Sequence, residues 1–187
     1  MRNREKRSQT DIVDLRLPPD AIEGTAHCKV KFTGSMMGPT ISAVIGDVNK
    51  MIKKPTGCGE QTLIRVGPNV FVTKYMEQTN QMTSDFEKKA FRYLRQGYAM
   101  ELSFFKPDGS FSVWGPSHGT EFTSADTSST WLTAFATKIL CHTKDLIYVD
   151  PKVICRAIDW LTNSASGVQR EDGAFKEVFR VHHREMT

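Results

Sequence analysis

Residues 55–61 read "PTGCGEQ", and here an ordinary amphipathic chain becomes compact and chemically unusual. A cysteine stands between two glycines, and a glutamine follows it three residues on. On a helical turn of about 3.6 residues, positions i and i+3 are neighbours, so the Cys58 thiol can lie against the Gln61 carboxamide. Gly57 and Gly59 carry no Cβ and so permit a tight backbone approach. If the sulfur displaces ammonia from the carboxamide, the product is an internal β-cysteinyl-γ-glutamyl thioester, an activated acyl group stored inside a fold. Spacing does not settle the matter, and by itself it favours the blander reading, a Gly-Cys-Gly turn leading into a helix that happens to contain Glu60 and Gln61, with Cys58 a buried free thiol.

Working outward, the segments on either side read as helices. From about Thr40, Ile41, Val44, Ile45, Val48 and Ile52 fall at the three-and-four spacing of one apolar helical face. Beyond the heptad, Leu63, Val66, Val70 and Phe71, then Lys74 and Tyr75, keep helical phase, although Gly67-Pro68 is expected to kink or break the run. Over residues 86–102, Ala90, Phe91, Leu94, Tyr98 and Leu102 share one side. "STWLTAFATKIL" steps Trp131, Phe135 and Ile139 by four, with Leu132, Ala136 and Leu140 beside them. In "DPKVICRAIDWL", Asp150 is an N-cap, Pro151 takes the first helical position, and Val153, Ile154, Ala157, Ile158 and Leu161 form the apolar face. Two Asp-Gly turns recur 64 residues apart, "DGSF" at Asp108 and "DGAF" at Asp172, each expected to return its phenylalanine to the core. A period of two helices plus loops suits a toroid of stacked helical hairpins. Upstream, "DIVDLRL" and "AHCKVKF" read as short β stretches around the turn-forming "PPDAIEG". A boundary therefore falls between residues 37 and 40.

The bulk numbers fit this picture. With 187 residues, 39% hydrophobic and 25% charged, the composition is globular. The net charge is +4, and part of the excess sits in the opening arm "MRNREKR", so the body is nearly balanced and nucleic-acid binding is not indicated. No apolar run approaches the roughly 20 residues a membrane span needs, and the N-terminus lacks a secretory h-region. Taken literally that says cytosolic, but a basic, unpatterned opening arm and an ending just past a turn make the chain read as part of a longer one. Cys28, Cys58, Cys141 and Cys155 are too widely spaced for a CxxC metal knuckle, so no metal and no cofactor is expected.

"GCGEQ" resembles the thioester motif of the complement C3/α2-macroglobulin superfamily. "LPPDAIEG", "GPNVFVTKYMEQTNQ", "YLRQGYAMEL", "DGSFSVWG", "STWLTAFATKIL" and "VICRAIDWL" look like the same domain in the same order, from about Asp11 onward. The resemblance implies a mainly α fold. Residues 1–10 are an unassigned basic arm, 11–38 a partial CUB-type β segment, and 39–187 the N-terminal part of an α/α toroid that carries the thioester. It further implies a secreted, single-use acylating protein rather than a turnover enzyme.

Within the superfamily, "VHHREM" is similar to the stretch that supplies a histidine nucleophile, which corresponds to His183, with His182 beside it as the alternative for the same role. That histidine attacks the thioester, and the released Cys58 thiolate then serves as base for an incoming hydroxyl. Cys155 is similar to a disulfide cysteine whose partner lies beyond Thr187. Cys28 and Cys141 receive no role. These features point to a C3-like member. It would attach to hydroxyl-bearing surfaces after an activating protease has acted, with complement-type receptors or regulators as further partners and no membrane insertion. The "YMEQTNQ" segment is less acidic than a receptor-binding patch of that kind requires. The alternative within the family is an α2-macroglobulin-type protease inhibitor coupling through amines. From another class, a Cys-His hydrolase would use Cys58 as nucleophile and His183 as base. Trp114, Trp131 and Trp160 are read as packing residues, His118 as exposed, and the acids around Asp85 as a solvated helix face.

Overall fold

The computed structural model describes residues 48–116 and 128–183, together with Ile12, Arg16, residues 19–22 and Gly24. Two compact units divide the chain, Met1–Pro39 and Thr40–Thr187. In the first, the described residues are exposed; Pro19 and Asp20 form a turn, and Gly24 has φ of +81°, as the Pro and Gly of this stretch suggest. The expected β stretches, the basic arm, Cys28, Ile41, Val44, Ile45 and His118 lie outside the described residues.

The second unit is helical. Among the described residues its elements are α1 (Val48–Met51), α2 (Gly59–Gln78), α3 (Ser84–Leu102), α4 (Thr130–Thr143) and α5 (Pro151–Thr162). A two-stranded antiparallel ribbon joins β1 (Phe111–Ser112) to β2 (Ser128–Ser129), pairing Phe111 with Ser129. Three helix starts are fixed by side-chain caps: Thr83 accepts from the Phe86 N–H, Ser129 from Leu132 and Asp150 from Lys152, with Pro151 opening α5. Each such cap contributes about 1 kcal/mol.

Leu63, Val66 and Val70 of α2 pack with Leu94, Leu132, Ala136, Ile139 and Leu140 and with Phe111 and Val113 of the ribbon region in one core. A smaller cluster gathers Val48, Ile52, Met76, Phe86 and Ala90 where α2 turns into α3. The two helices then run back along each other closely enough that a Cβ on Gly97 would fall 2.3 Å from Val66 Cγ2.

Several details differ from the sequence reading. The helix α2 passes through Pro68 without ending, because Pro68 lies on the exposed face while Gly67 packs inward toward Ile139 and Phe135. Packing on both sides of the proline offsets its intrinsic cost of about 3 kcal/mol. Phe71, Tyr75, Leu102 and Ile158, all assigned to buried faces, are substantially exposed. On α3 the buried position is Glu101 instead of Leu102.

The two Asp-Gly turns have the same internal geometry. Ser110 N–H donates to Asp108 Oδ1 and Ala174 N–H to Asp172 Oδ1, both at 3.0 Å. Gly109 and Gly173 adopt φ of +97° and +84°, and isolated bridges join Phe105 to Phe111 and Gln169 to Phe175. Partial burial pushes the Asp108 carboxyl up, but hydrogen bonds from the Ser110 hydroxyl and N–H, together with Lys106 and Ser128, hold it below its ordinary value. The repeat diverges in packing. Phe111 is fully buried, whereas Phe175 is half exposed and does not return to the core.

Glu101 is fully buried, and among the described residues neither carboxylate oxygen has a hydrogen-bond partner. Burial therefore pushes its carboxyl well above the usual glutamate range. The folded value exceeds the unfolded one of about 4.3, so the neutral acid's contribution is complete below that pH and is lost as pH rises through the folded value. Glu101→Gln, which keeps the shape without the charge, is expected to be more stable near neutral pH by about 1–3 kcal/mol, the gain vanishing toward pH 4. Thermal unfolding across that range checks this; parallel curves for the two proteins would contradict it.

Candidate functional site

The sequence places Cys58, Gln61 and Glu60 on one turn of helix, and the fold fixes that turn from three sides. Cys58 is the N-cap of α2 and is buried among core residues that include Phe104, Val113 and Leu132. The following N–H, from Gly59, donates to the Val113 carbonyl at 2.9 Å. A Cβ on Gly59 would lie 3.1 Å from both Leu132 Cδ2 and the Ser112 carbonyl oxygen, so the glycine lets backbone approach backbone at the head of the helix.

Gly57 serves differently. It has φ of +98°, and a Cβ there would fall 1.9 Å from Gln61 Oε1. The Gln61 carboxamide thus folds back over Gly57, where it accepts from the Cys58 N–H at 3.4 Å. This is the residue spacing of a capping box, with a thiol where a hydroxyl usually stands. The box is reciprocal, with the Cys58 sulfur facing the Gln61 N–H, and because sulfur is only a weak acceptor this contact holds the thiol loosely. The two groups that a thioester would join therefore occupy one helical turn, largely removed from solvent.

Glu60, between them, reaches elsewhere. Its side chain is completely buried, and its two oxygens accept from consecutive backbone N–H groups more than 120 residues away. His182 N–H donates to Oε1 at 2.9 Å and His183 N–H to Oε2 at 2.7 Å. Both candidate histidines are thereby brought to the turn that carries Cys58 and Gln61. The His183 side chain is the more buried. His182 is exposed, its ring edge-on to Trp114 with centroids 5.3 Å apart, and it lines an open cavity of about 400 Å³ with Phe179, Arg180 and Val181.

The segment that bears the histidines is held at a second point. Glu177 places Oε1 on the Thr130 N–H at 3.0 Å and Oε2 on the Trp131 N–H at 2.6 Å, at the start of α4. Thr130 Oγ1 donates back to the Lys176 carbonyl at 2.9 Å. An acidic side chain at a helix N-terminus is favoured both by the free N–H groups and by the helix dipole.

Glu60 as a tether, Glu177 as an anchor and Trp114 as a ring against His182 were not singled out from the sequence. In the sequence Glu60 stood out only as a member of the "GCGEQ" motif, with no role assigned to its side chain. Trp131 packs on Phe135 with centroids 5.0 Å apart, and Trp160 lies half buried on α5, in keeping with packing roles. Cys155 is exposed on α5 and Cys141 half buried on α4; among the described residues neither these nor Cys58 pair in a disulfide.

The Gly57 geometry yields a direct test. Gly57→Ala forces an L side chain into a left-handed conformation, costing about 1–2 kcal/mol before any collision. The added carbon also displaces the Gln61 carboxamide. The variant should melt at lower temperature and show a Cys58 thiol accessible to a thiol reagent; unchanged melting with an unreactive Cys58 would refute this picture of the turn. A protein-family model described as the A-macroglobulin TED domain matches residues 30–187.

Proposed function

The chain belongs to the A-macroglobulin TED domain family, the thioester domains of complement and α2-macroglobulin proteins, and from that premise we propose that it is the acyl-donor part of a C3-like protein. The helical unit is a portion of an α/α toroid. Family members are typically secreted, non-enzymatic thioester proteins, and among the described residues no helix is long and apolar enough to cross a membrane. The incomplete toroid, the CUB-type segment and a Cys155 disulfide to a partner beyond Thr187 belong to the proposal.

In this reading the Cys58 thiol replaces the amide nitrogen of the Gln61 side chain, forming the sulfur–carbonyl bond and releasing ammonia. The bond persists because the Cys58 site is buried; water reaching it would hydrolyse it. After proteolysis elsewhere in the full-length protein, the neutral His183 imidazole attacks the acyl carbon, the carbon–sulfur bond breaks, and Cys58 leaves as thiolate. That thiolate removes the proton from an incoming hydroxyl, the oxygen takes the acyl group, and the imidazole departs unchanged. The product is an ester to a glycan or protein, or a free carboxylate when water is the acceptor. Each molecule reacts once. Activating proteases, the labelled surface, and complement-type receptors and regulators are the partners this function needs.

One observation carries the choice of the histidine-assisted branch: the Glu60 carboxylate holds the backbone of His182 and His183 against the turn that bears Cys58 and Gln61. Of the two, His183 is favoured as the nucleophile by its more buried side chain, His182 being turned toward Trp114 and the open cavity.

Activated full-length protein offered glycerol and methylamine together should couple predominantly to the hydroxyl. His183→Ala should lower the hydroxyl-to-amine ratio by at least about a hundredfold, the lower end expected for loss of a catalytic side chain of this kind. Indifference of the ratio to that substitution would favour amine coupling of the α2-macroglobulin type. Repeated turnover of an ester substrate would instead indicate a Cys-His hydrolase.

A further inference from the structure

The segment 176–183 is a strap suspended between two helix N-termini. At one end its own Glu177 takes the first N–H groups of α4. At the other, Glu60 from the first turn of α2 takes the N–H groups of His182 and His183. The two helix starts are themselves in contact, since a Cβ on Gly59 would lie 3.1 Å from Leu132 of α4. Both anchors therefore refer the histidines to one rigid corner of the core.

We propose that Glu60 is a positioning residue for acyl transfer, delivering His183 to the acyl carbon through its grip on the strap, with Glu177 as the second anchor. The inference rests on the histidine-assisted reading above. Its added content is that possession of His183 is not sufficient for hydroxyl transfer: a domain that keeps the histidine but loses the tether reacts as though the histidine were absent.

The chemistry of the contact supports this role. A carboxylate offers two acceptor oxygens, and Glu60 uses one for each of two consecutive N–H groups. These are charge-assisted bonds in a fully buried place, where they are strongest and their geometry is most exact. Glutamine cannot substitute. Its single carbonyl oxygen satisfies one N–H, and its amide group turns a donor toward the other, leaving that N–H without an acceptor. Position completes the argument, because Glu60 lies two residues after Cys58 and one before Gln61. Any motion of the strap relative to Glu60 is motion of His183 relative to the acyl group.

The test is the hydroxyl-to-amine ratio in activated full-length protein, measured for Glu60→Gln, His183→Ala and the double variant. Thioester content is scored for each by heat-induced chain cleavage between Glu60 and Gln61. Loss of a charge-assisted hydrogen bond predicts a fall of about tenfold or more for Glu60→Gln, with the double variant no lower than His183→Ala alone. A merely structural role would lower yield and leave the ratio unmoved. An unchanged ratio in Glu60→Gln, or a double variant well below His183→Ala, overturns the proposal. If His183→Ala itself leaves the ratio unchanged, it is the histidine-assisted reading that has failed. Should Glu60→Gln prove to carry no thioester, Glu177→Gln decides by the same ratio, a fall supporting the strap and constancy overturning it.

Discussion

Two hydrogen bonds from the backbone of His182 and His183 to the buried carboxylate of Glu60 tie together parts of the chain that are remote in sequence. Without them the first turn of α2 would be a helix start with a thiol and a carboxamide, and the histidine-bearing strap an exposed tail over the core. With them, the turn that bears Cys58 and Gln61 and the backbone of His182 and His183 share one frame. The constraint is strong because it is buried: an ionised acid taken from water is costly unless its oxygens are satisfied, and here each oxygen accepts an N–H.

The surrounding fold is arranged to hold that frame still. Gly57 and Gly59 admit contacts that any side chain would block, one from the Gln61 carboxamide and the other from the backbone at Ser112 and from Leu132. The Gly59 N–H is fixed to Val113, just past the ribbon that follows the first Asp-Gly turn. That turn is in its own right a docking point, for a Cβ on Gly109 would meet the Arg156 carbonyl oxygen at 2.5 Å, and the Arg156 guanidinium lies over the Phe105 ring. Its counterpart 64 residues on keeps the turn geometry, yet among the described residues nothing lies within 4 Å of a Cβ added to Gly173, and Phe175 stays half exposed. The local chemistry of the repeat is thus preserved where its packing environment is not.

Much of the helical frame was legible in the sequence, because amphipathic spacing and caps are local. Asp150, Pro151, Leu132, Ala136 and Leu94 lie where periodicity puts them. The helix does not break at Pro68, since a proline's cost is set by propensity while its tolerance depends on tertiary packing of Gly67 and Val70. The buried face of α3 was misphased by one residue because a glutamate was not expected inside; Glu101 is nonetheless fully buried, so tertiary packing and not its own polarity decides its place. A thioester between Cys58 and Gln61 is what the family resemblance implies, and that the two share one helical turn was readable from spacing. The Glu60 tether was not, for no local signal marks an acid whose partners are backbone N–H groups at the far end of the chain.

The central claim concerns a bond between sulfur and the Gln61 carbonyl carbon, held in this buried turn. Mass spectrometry of the native full-length protein, digested under conditions that spare thioesters, tests it most directly. The peptide spanning Cys58 to Gln61 should be lighter than its sequence by one ammonia and should carry no free thiol. A peptide of full sequence mass with a titratable Cys58 would contradict the account.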